Sequence, residues 1–523
     1  LPIFTYNNHT FKDAKAIASY IKNGKSHAKI DINDNAGNIN LIANYDRLIK
    51  SHSISISGQV DNLAPASLGL TDKWEGKRFS FAVNGNLTGK DLPSSNGNLL
   101  ITDFSIRDDE GNYKLNEIEI HKTVKEKTHQ ITFKSDFATL RAEGEFNYET
   151  LVNSVTNAIY NRLHTLPGLK KRPATNNNFN IYATINNTEV AQKLFDIDLQ
   201  IHEPLHLIAN INDAEHKIDI RLDASRFAYN GNNYRNGHLL LLCPNDTMQA
   251  VINASQISDN GDATYTIRAK AANNQLDTKF VFHTDNKQII KGEFNATANF
   301  STNDSDEPQA EINILPSVIY VNDTIWNIDP AKIKYYSKHL EINKFSIHHD
   351  DQHILINGNA TKDINDEITV ELKDVNVSYI LGLVNFHSVE FAGYATGIAR
   401  GRSLFGTPET DAKIKVKNFT FEGGRLGTLD VKADWNINDG AINIDGLALD
   451  EGKRITDIKG YVSPKNSDID LHIKAKNTRL EFLNTFCDSF LNDIDVYGTG
   501  EVNVVGPLKA IQLIGKAKVE GTA

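Results

Sequence analysis

The sequence predicts a mainly β protein, built as a long antiparallel sheet with a few short helices. Three observations predict it. Apolar and polar residues alternate with period two in segment after segment, short Asn/Asp/Gly turns separate the segments, and helical periodicity is confined to a few short stretches. Successive strand side chains point to opposite faces, so alternation gives each strand one apolar and one polar face. That is the mark of half-buried antiparallel sheet. Parallel strands, covered on both faces, read instead as continuous apolar runs.

The alternation runs the length of the chain. It opens with Ile54-Ser-Ile56-Ser-Gly58, Phe79-Ser-Phe81-Ala-Val83 and Ile131-Thr-Phe133, then Ile218-Asp-Ile220-Arg-Leu222. It continues through Ile354-Leu-Ile356-Asn-Gly358, Ile368-Thr-Val370-Glu-Leu372 and Ile469-Asp-Leu471-His-Ile473-Lys-Ala475. Turns such as Asp109-Glu-Gly111-Asn112 and Asp259-Asn-Gly261-Asp262 divide it, the second placing Gly at positive φ. Roughly thirty short strands at this spacing form a sandwich, a barrel or a solenoid.

Helical stretches are few. Residues 149–166 place Leu151, Val155, Ile159, Leu163 and Leu166 on one stripe, with Pro167-Gly168 as the stop. This helix is expected to pack against the sheet or dock across its mouth. Residues 11–21 put Ala14, Ile17, Ala18 and Ile21 on one face, and shorter helices fit 189–195, 379–384 and 479–491. Thr188 and Thr478 stand where N-caps belong. Soft boundaries fall at 169–178 and 301–310, within what otherwise reads as one continuous β segment over residues 1–523.

Composition narrows the function. The 523 residues carry a net charge of −11, which argues against phosphate-backbone binding and hence against nucleic acid. Two cysteines, Cys243 and Cys487, make no disulfide framework. The longest apolar run, 239–243, falls far short of the roughly 18–20 residues of a membrane helix, and position 1 is not Met. The chain is therefore expected to be an internal piece of a longer protein.

No catalytic or metal constellation emerges. His348-His349-Asp350-Asp351-Gln352-His353 has ligand residue types but reads as a polar turn. Asp31-Ile-Asn33-Asp-Asn35-Ala36 starts like an EF-hand loop, yet Ala36 replaces the required Gly and Ile42 the bidentate Glu. Asn303-Asp-Ser-Asp-Glu307 is a charged loop, and Trp74, Trp326 and Trp435 read as packing residues. No nucleophile elbow, P-loop, Rossmann fingerprint, HExxH or CxxC occurs, so the expectation is a non-enzyme without cofactor or metal.

A loose internal repeat is present: a strand, an apolar turn or short helix, a Gly-spaced strand, a Gly/Pro loop and another alternating strand. One copy starts at Val60-Asp-Asn-Leu63, a second at Val375-Asn-Val377, and a third spans 480–491 and Val496-Tyr-Gly498-Thr-Gly500-Glu-Val502-Asn-Val504. At these modules the sequence resembles the TamB/AsmA-like family, in particular its Bacteroidota-type members. The most specific stretch, 317–420, holds Val318-Ile-Tyr-Val321-Asn-Asp-Thr-Ile-Trp326, then Leu372-Lys-Asp-Val-Asn-Val377, then Val389-Glu-Phe391-Ala-Gly393-Tyr-Ala-Thr-Gly397.

The resemblance implies a periplasmic protein of envelope biogenesis. Its parent would be anchored in the inner membrane and would meet an outer-membrane assembly barrel of the TamA/BamA type through parts outside this chain. The body would be a sheet curled into an elongated trough, or β-taco. Its apolar groove would conduct phospholipid acyl chains between inner and outer membranes, or support outer-membrane protein assembly. The alternatives are a chaperone groove for outer-membrane protein strands, a β-sandwich surface adhesin, and a β-helical carbohydrate-active enzyme.

The trough also fits the residues. An apolar sheet face must be covered or must bind something, and the helical content is too low to cover it. Long sheets curl, and glycines inside strands (Gly85, Gly89, Gly358, Gly393, Gly397, Gly498, Gly500) permit bulges and bends. Thirty strands at ~4.7 Å would extend roughly 140 Å. Alternation phase then gives the expected groove lining. In the first half it is Phe79, Phe81, Val83, Ile131, Phe133, Ile218, Ile220 and Leu222. In the second half it is Leu340, Ile342, Ile354, Ile356, Ile368, Val370, Leu372, Leu471, Ile473, Val502 and Val504.

Overall fold

The structure is a computed structural model. It describes residues 4–6, 9–11, 14–21, 24–47, 50–71, 73–258, 261–285, 289–379, 390–436, 440–463, 465–484, 495–508 and 510–522. About 70% of the chain is strand and 6% helix, too little helix to cover the sheet. Among the described residues thirty-three strands join antiparallel sheet, and a separate hairpin pairs Phe4–Tyr6 with His9–Phe11. The chain divides into two compact units, Leu1–His164 with Gly168–Lys291, and Thr165–Pro167 with Gly292–Ala523.

In the first unit, strands pair in chain order from Ala14–Ile21 to Gln275–Asp285, except that the short strand Leu199–Ile201 is skipped and pairs with Lys217–Tyr229. In the second, the same meander runs from Ile289–Thr302 to Gln512–Thr522. The hairpin Ser317–Val321 and Thr324–Ile328 is set into it. The loop 303–307 is the turn between Ile289–Thr302 and Pro308–Ile314, and 170–177 leads into strand Asn178–Ile185.

Buried residues gather in separate small clusters. The first unit buries Phe79, Phe104, Ile106, Leu115 and Val190 in one cluster and Ile201, Leu205 and Ala224 in another. The second buries Ala395, Val416, Phe419, Leu426, Leu429 and Ala448 together, and Ala296, Ile314, Ile328 and Ala331 together.

Two helices are of use below. Helix α1 spans Leu151–Arg162 and helix α2 spans Glu189–Phe195, the second with the bounds its sequence predicts. Four local expectations are corrected. The described residues of this stretch are strand, not helix: Phe11 ends strand His9–Phe11, and Ala14–Ile21 pairs residue for residue with Lys25–Ile32. Its Ala14-Lys-Ala16-Ile-Ala18 run also fits period two, and cross-strand pairing outweighs a weak helical pattern. Helix α1 ends at Arg162, before Pro167, and buries Ser154, Ala158 and Arg162; of the expected stripe Leu163, just past the helix end, is buried and Leu151, Val155 and Ile159 are half-buried. Thr478 is no N-cap but lies in strand Asp468–Arg479, its Oγ1 2.8 Å from Thr456 Oγ1. Thr188 holds the N-cap position of α2 as expected but does not cap with its side chain: its hydroxyl donates to Leu199 C=O, and Asn187 Oδ1 accepts the Glu189 N–H at 2.8 Å. The helices expected over 379–384 and 479–491 fall largely outside the described residues, as does Cys487.

The bulges also depart from expectation. Of the glycines named for that role, only Gly393 sits in a register shift. The others lie in regular pairs, where several approach a neighbouring backbone too closely for a Cβ: one on Gly397 would stand 2.2 Å from Lys413 O. The bulges fall instead at Asn62, Asp103, Asn236, Lys344, Asp374, Asn418 and Asn477, all with φ between 49° and 57°. Asn and Asp tolerate this left-handed conformation better than other side chains.

Candidate functional site

An antiparallel pair places directly opposed residues on one face, so register can be followed from strand to strand. In the first unit one such path runs Ala18–Ala28–Ala43–Ile56–Gly85–Leu99–Ile120–Phe133. It continues Leu140–Ala183–Leu207–Leu222–Leu239–Ile252–Ile267–Phe280. It crosses sixteen strands without one polar side chain. At ~4.7 Å per strand the path is about 70 Å long. Only Gly85 on it is buried; Ala18, Ile252 and Ile267 are exposed, and the remaining side chains are half-buried.

The second unit carries an equivalent path: Phe345–Ile356–Val370–Ala399–Ala412–Ala433–Ile444–Gly460–Leu471–Val504–Leu513. Beside it runs Ile347–Ile354–Leu372–Gly397–Ile414–Val431–Gly446–Ile458–Ile473–Val502–Gly515. Of the first path only Leu471 is buried. The opposite face is mixed, with Tyr182, Ile208, Leu240 and Val251 set among charged residues in the first unit. It carries ion pairs such as Arg221–Asp219 at 2.9 Å and Lys415–Asp430 at 3.3 Å, worth little individually but well hydrated.

The expected lining residues distribute as follows. Phe133, Leu222, Ile356, Val370, Leu471 and Val504 lie on these central paths. Ile131 and Ile220 share the next path along, through Ala142, Ile181 and Ala209. Ile354, Leu372, Ile473 and Val502 share the second path of the other unit. Ile342 and Ile368 meet across Gly358, and Leu340 opposes Ala360. Val83 opposes Gly58 and Ile101, and Phe81 opposes Val60. Phe79, Ile218 and Ile368 are on the apolar face but buried.

Sequence alternation passed over the small members, such as Ala183, Ala399 and Gly397, because their hydropathy is neutral. It also passed over Leu207 and Leu239. Register across strands is what joins them.

A buried charge interrupts the first unit's apolar face. Lys122 follows Leu87 and Gly97 on the path that leads to Ile131, and it is buried. Its Nζ donates to Leu92 and Pro93 carbonyls at 2.5 and 3.0 Å and lies 5.1 Å from the Tyr148 ring centroid. Burial lowers its pKa. Nearby His129 Nδ1 is 3.1 Å from Tyr148 Oη, and burial, then Lys122, lowers its pKa. A cavity of about 570 Å³ touches Phe133, Leu140, Ala183 and Leu207 of the central path but is lined mostly by their opposite-face neighbours, among them Thr132, Arg141, Tyr182 and Ile208.

The polar motifs are local structure. His348 and His349 end strand His339–His349, with His348 Nε2 3.1 Å from Asp329 Oδ1 and His349 Nδ1 2.9 Å from Ile325 O. Asp31 and Asn33 lie in strand Lys25–Asp34. Among the described residues no group of three or more His, Cys, Asp or Glu is placed to hold a metal, and no helix is long and apolar enough to cross a membrane. Burial raises the Cys243 pKa, away from a reactive thiolate. No protein-family model matches the chain, and no curated protein matches it.

Proposed function

We propose that the apolar faces of both units hold phospholipid acyl chains, as part of a periplasmic trough that passes lipid between the inner and outer membranes or supports outer-membrane protein assembly. The observation that carries this reading is the sixteen-strand path: apolar at every position, yet almost nowhere buried. A face made only to pack would be covered. The likeness of residues 317–420 to TamB/AsmA-like chains supports the same reading.

The energetics suit conduction. A methylene leaving water gains ~0.8 kcal/mol wherever it lands on such a path. Because the path is chemically uniform, successive positions differ little, and an acyl chain can move without crossing a deep well. The test is mass spectrometry of organic extracts from the purified chain. Phospholipid enriched over a mock purification is the expected result. An extract without lipid, or capture of polypeptide alone from lining positions, would instead favour the chaperone groove.

A further inference from the structure

Over most of the first unit's central path the apolar side chains reach water. At the end of strands Arg78–Gly89, Asn96–Arg107 and Asn112–Lys125 they do not: Phe79 and Leu115 are 5% exposed and Ile106 is fully buried. What covers them is the chain itself. Helix α2 leaves strand Asn178–Ile185, which stands five strands from Arg78–Gly89 in the ladder, and folds back so that Val190 and Leu194 pack on the Phe79–Phe104–Ile106 cluster.

Seven residues do not make a stable helix alone, so the placement depends on its anchors. Lys193 Nζ lies 3.1 Å from Asp108 Oδ2, pairs also with Glu110, and stands 4.7 Å from the Tyr113 ring centroid. Lys77 Nζ donates to the Lys193 carbonyl at 2.6 Å, and Trp74 Nε1 donates to the Leu194 carbonyl at 2.8 Å. The polar contacts lie at the rim and the apolar ones against the sheet.

We propose that α2 is a built-in plug, with Val190 and Leu194 standing on the apolar face in place of an acyl chain and the Lys193 anchor barring ligand from that end of the strands. This rests on the lipid-holding reading above. It assigns Phe81, on the same face and packed against the buried cluster, to a site open to ligand only when α2 is released.

The test uses the full chain with a benzophenone amino acid at Phe81 or at Leu222, incubated with phosphatidylethanolamine/phosphatidylglycerol vesicles. The expected result is lipid capture at Leu222 but not at Phe81, with Lys193→Glu raising capture at Phe81 severalfold and leaving Leu222 unchanged. Trp74, bonded to Leu194, reports release through a red shift in its emission; Lys193→Met carries the same expectation should Lys193→Glu fail to fold. Equal capture at both positions in the unaltered chain overturns the plug, as does unchanged capture at Phe81 once Trp74 emission has shifted. No capture at Leu222 overturns the lipid reading and the plug with it.

Discussion

Seven residues in left-handed bulges set where the strands stop being regular. Four of them share a further device, in which the bulged N–H donates to a side-chain oxygen on the neighbouring strand. Asn62 donates to Ser80 Oγ at 2.8 Å, Asp374 to Thr396 Oγ1 at 2.9 Å, Asn477 to Thr499 Oγ1 at 2.9 Å and Lys344 to Asn357 Oδ1 at 3.1 Å. A bulge frees one N–H from the ladder, and the hydroxyl or amide satisfies it. Three of these pairs have their receivers, Ser80, Thr396 and Thr499, in the three copies of the sequence repeat, with the bulge within the first copy and just before the other two, so the repeat has a physical content: a bulge, its hydroxyl receiver and the turn into the next connection. The residue after the bulge then points inward, as Phe104, Val375 and Phe419 do. Thr499→Val should lower stability by about 1–2 kcal/mol, and Thr499→Ser should recover most of it, read as the midpoint of urea unfolding. His129 adds a pH dependence. Its folded pKa lies below its unfolded value, so its contribution is complete above about pH 6.5 and is lost as pH falls through the lowered folded value. The fall in melting temperature between pH 7 and pH 5 should therefore shrink in His129→Gln.

At the scale of elements, strands were legible because period two is simple and repeats many times. Helix α2 was legible to the residue. Residues 11–21 misled because Ala, Ile and Lys fit both periods, and only the partner strand decides between them. Helix α1 misled for a different reason: its anchoring residue is charged. Arg162 is buried and donates to Ala158 O at 2.8 Å, His216 O at 2.9 Å, Thr247 O at 3.2 Å and the carbonyl of Asn245. It thereby pins the helix across the turns 213–216 and 244–247. No hydropathy pattern places an arginine inward, because its reason is a set of turn carbonyls distant in sequence. Arg162→Met should cost about 2–4 kcal/mol, since several carbonyls lose their donor. Amide exchange should rise in those turns and along α1 first. A uniform rise over the whole first unit would show that the clasp is not local.

At the scale of the molecule, each unit carries continuous apolar paths. Alternation revealed the strands that contribute to it, while the path itself needed register. Phase alone could not separate the accessible positions, such as Leu222 and Ile356, from Phe79 and Ile218, which lie on the same face under cover. Ile356 and Val370 oppose each other directly on the second unit's path. Arginine at both would place two charges in an apolar lane at about 2.5–3.5 kcal/mol each. The Ile356→Arg, Val370→Arg pair should slow vesicle-to-vesicle phospholipid transfer more than about tenfold while leaving the far-ultraviolet circular dichroism of the sheet unchanged. Retained transfer by the folded double variant would count against a lipid path.

The most direct measurement compares the two faces of single strands. Benzophenone is placed at inward Leu239 and Ile444 and at their outward neighbours Leu240 and Asp445, in chain purified from membranes and irradiated. The account predicts phospholipid adducts at Leu239 and Ile444 and none at Leu240 and Asp445. Adducts spread equally over all four positions, or absent from all four, would contradict it.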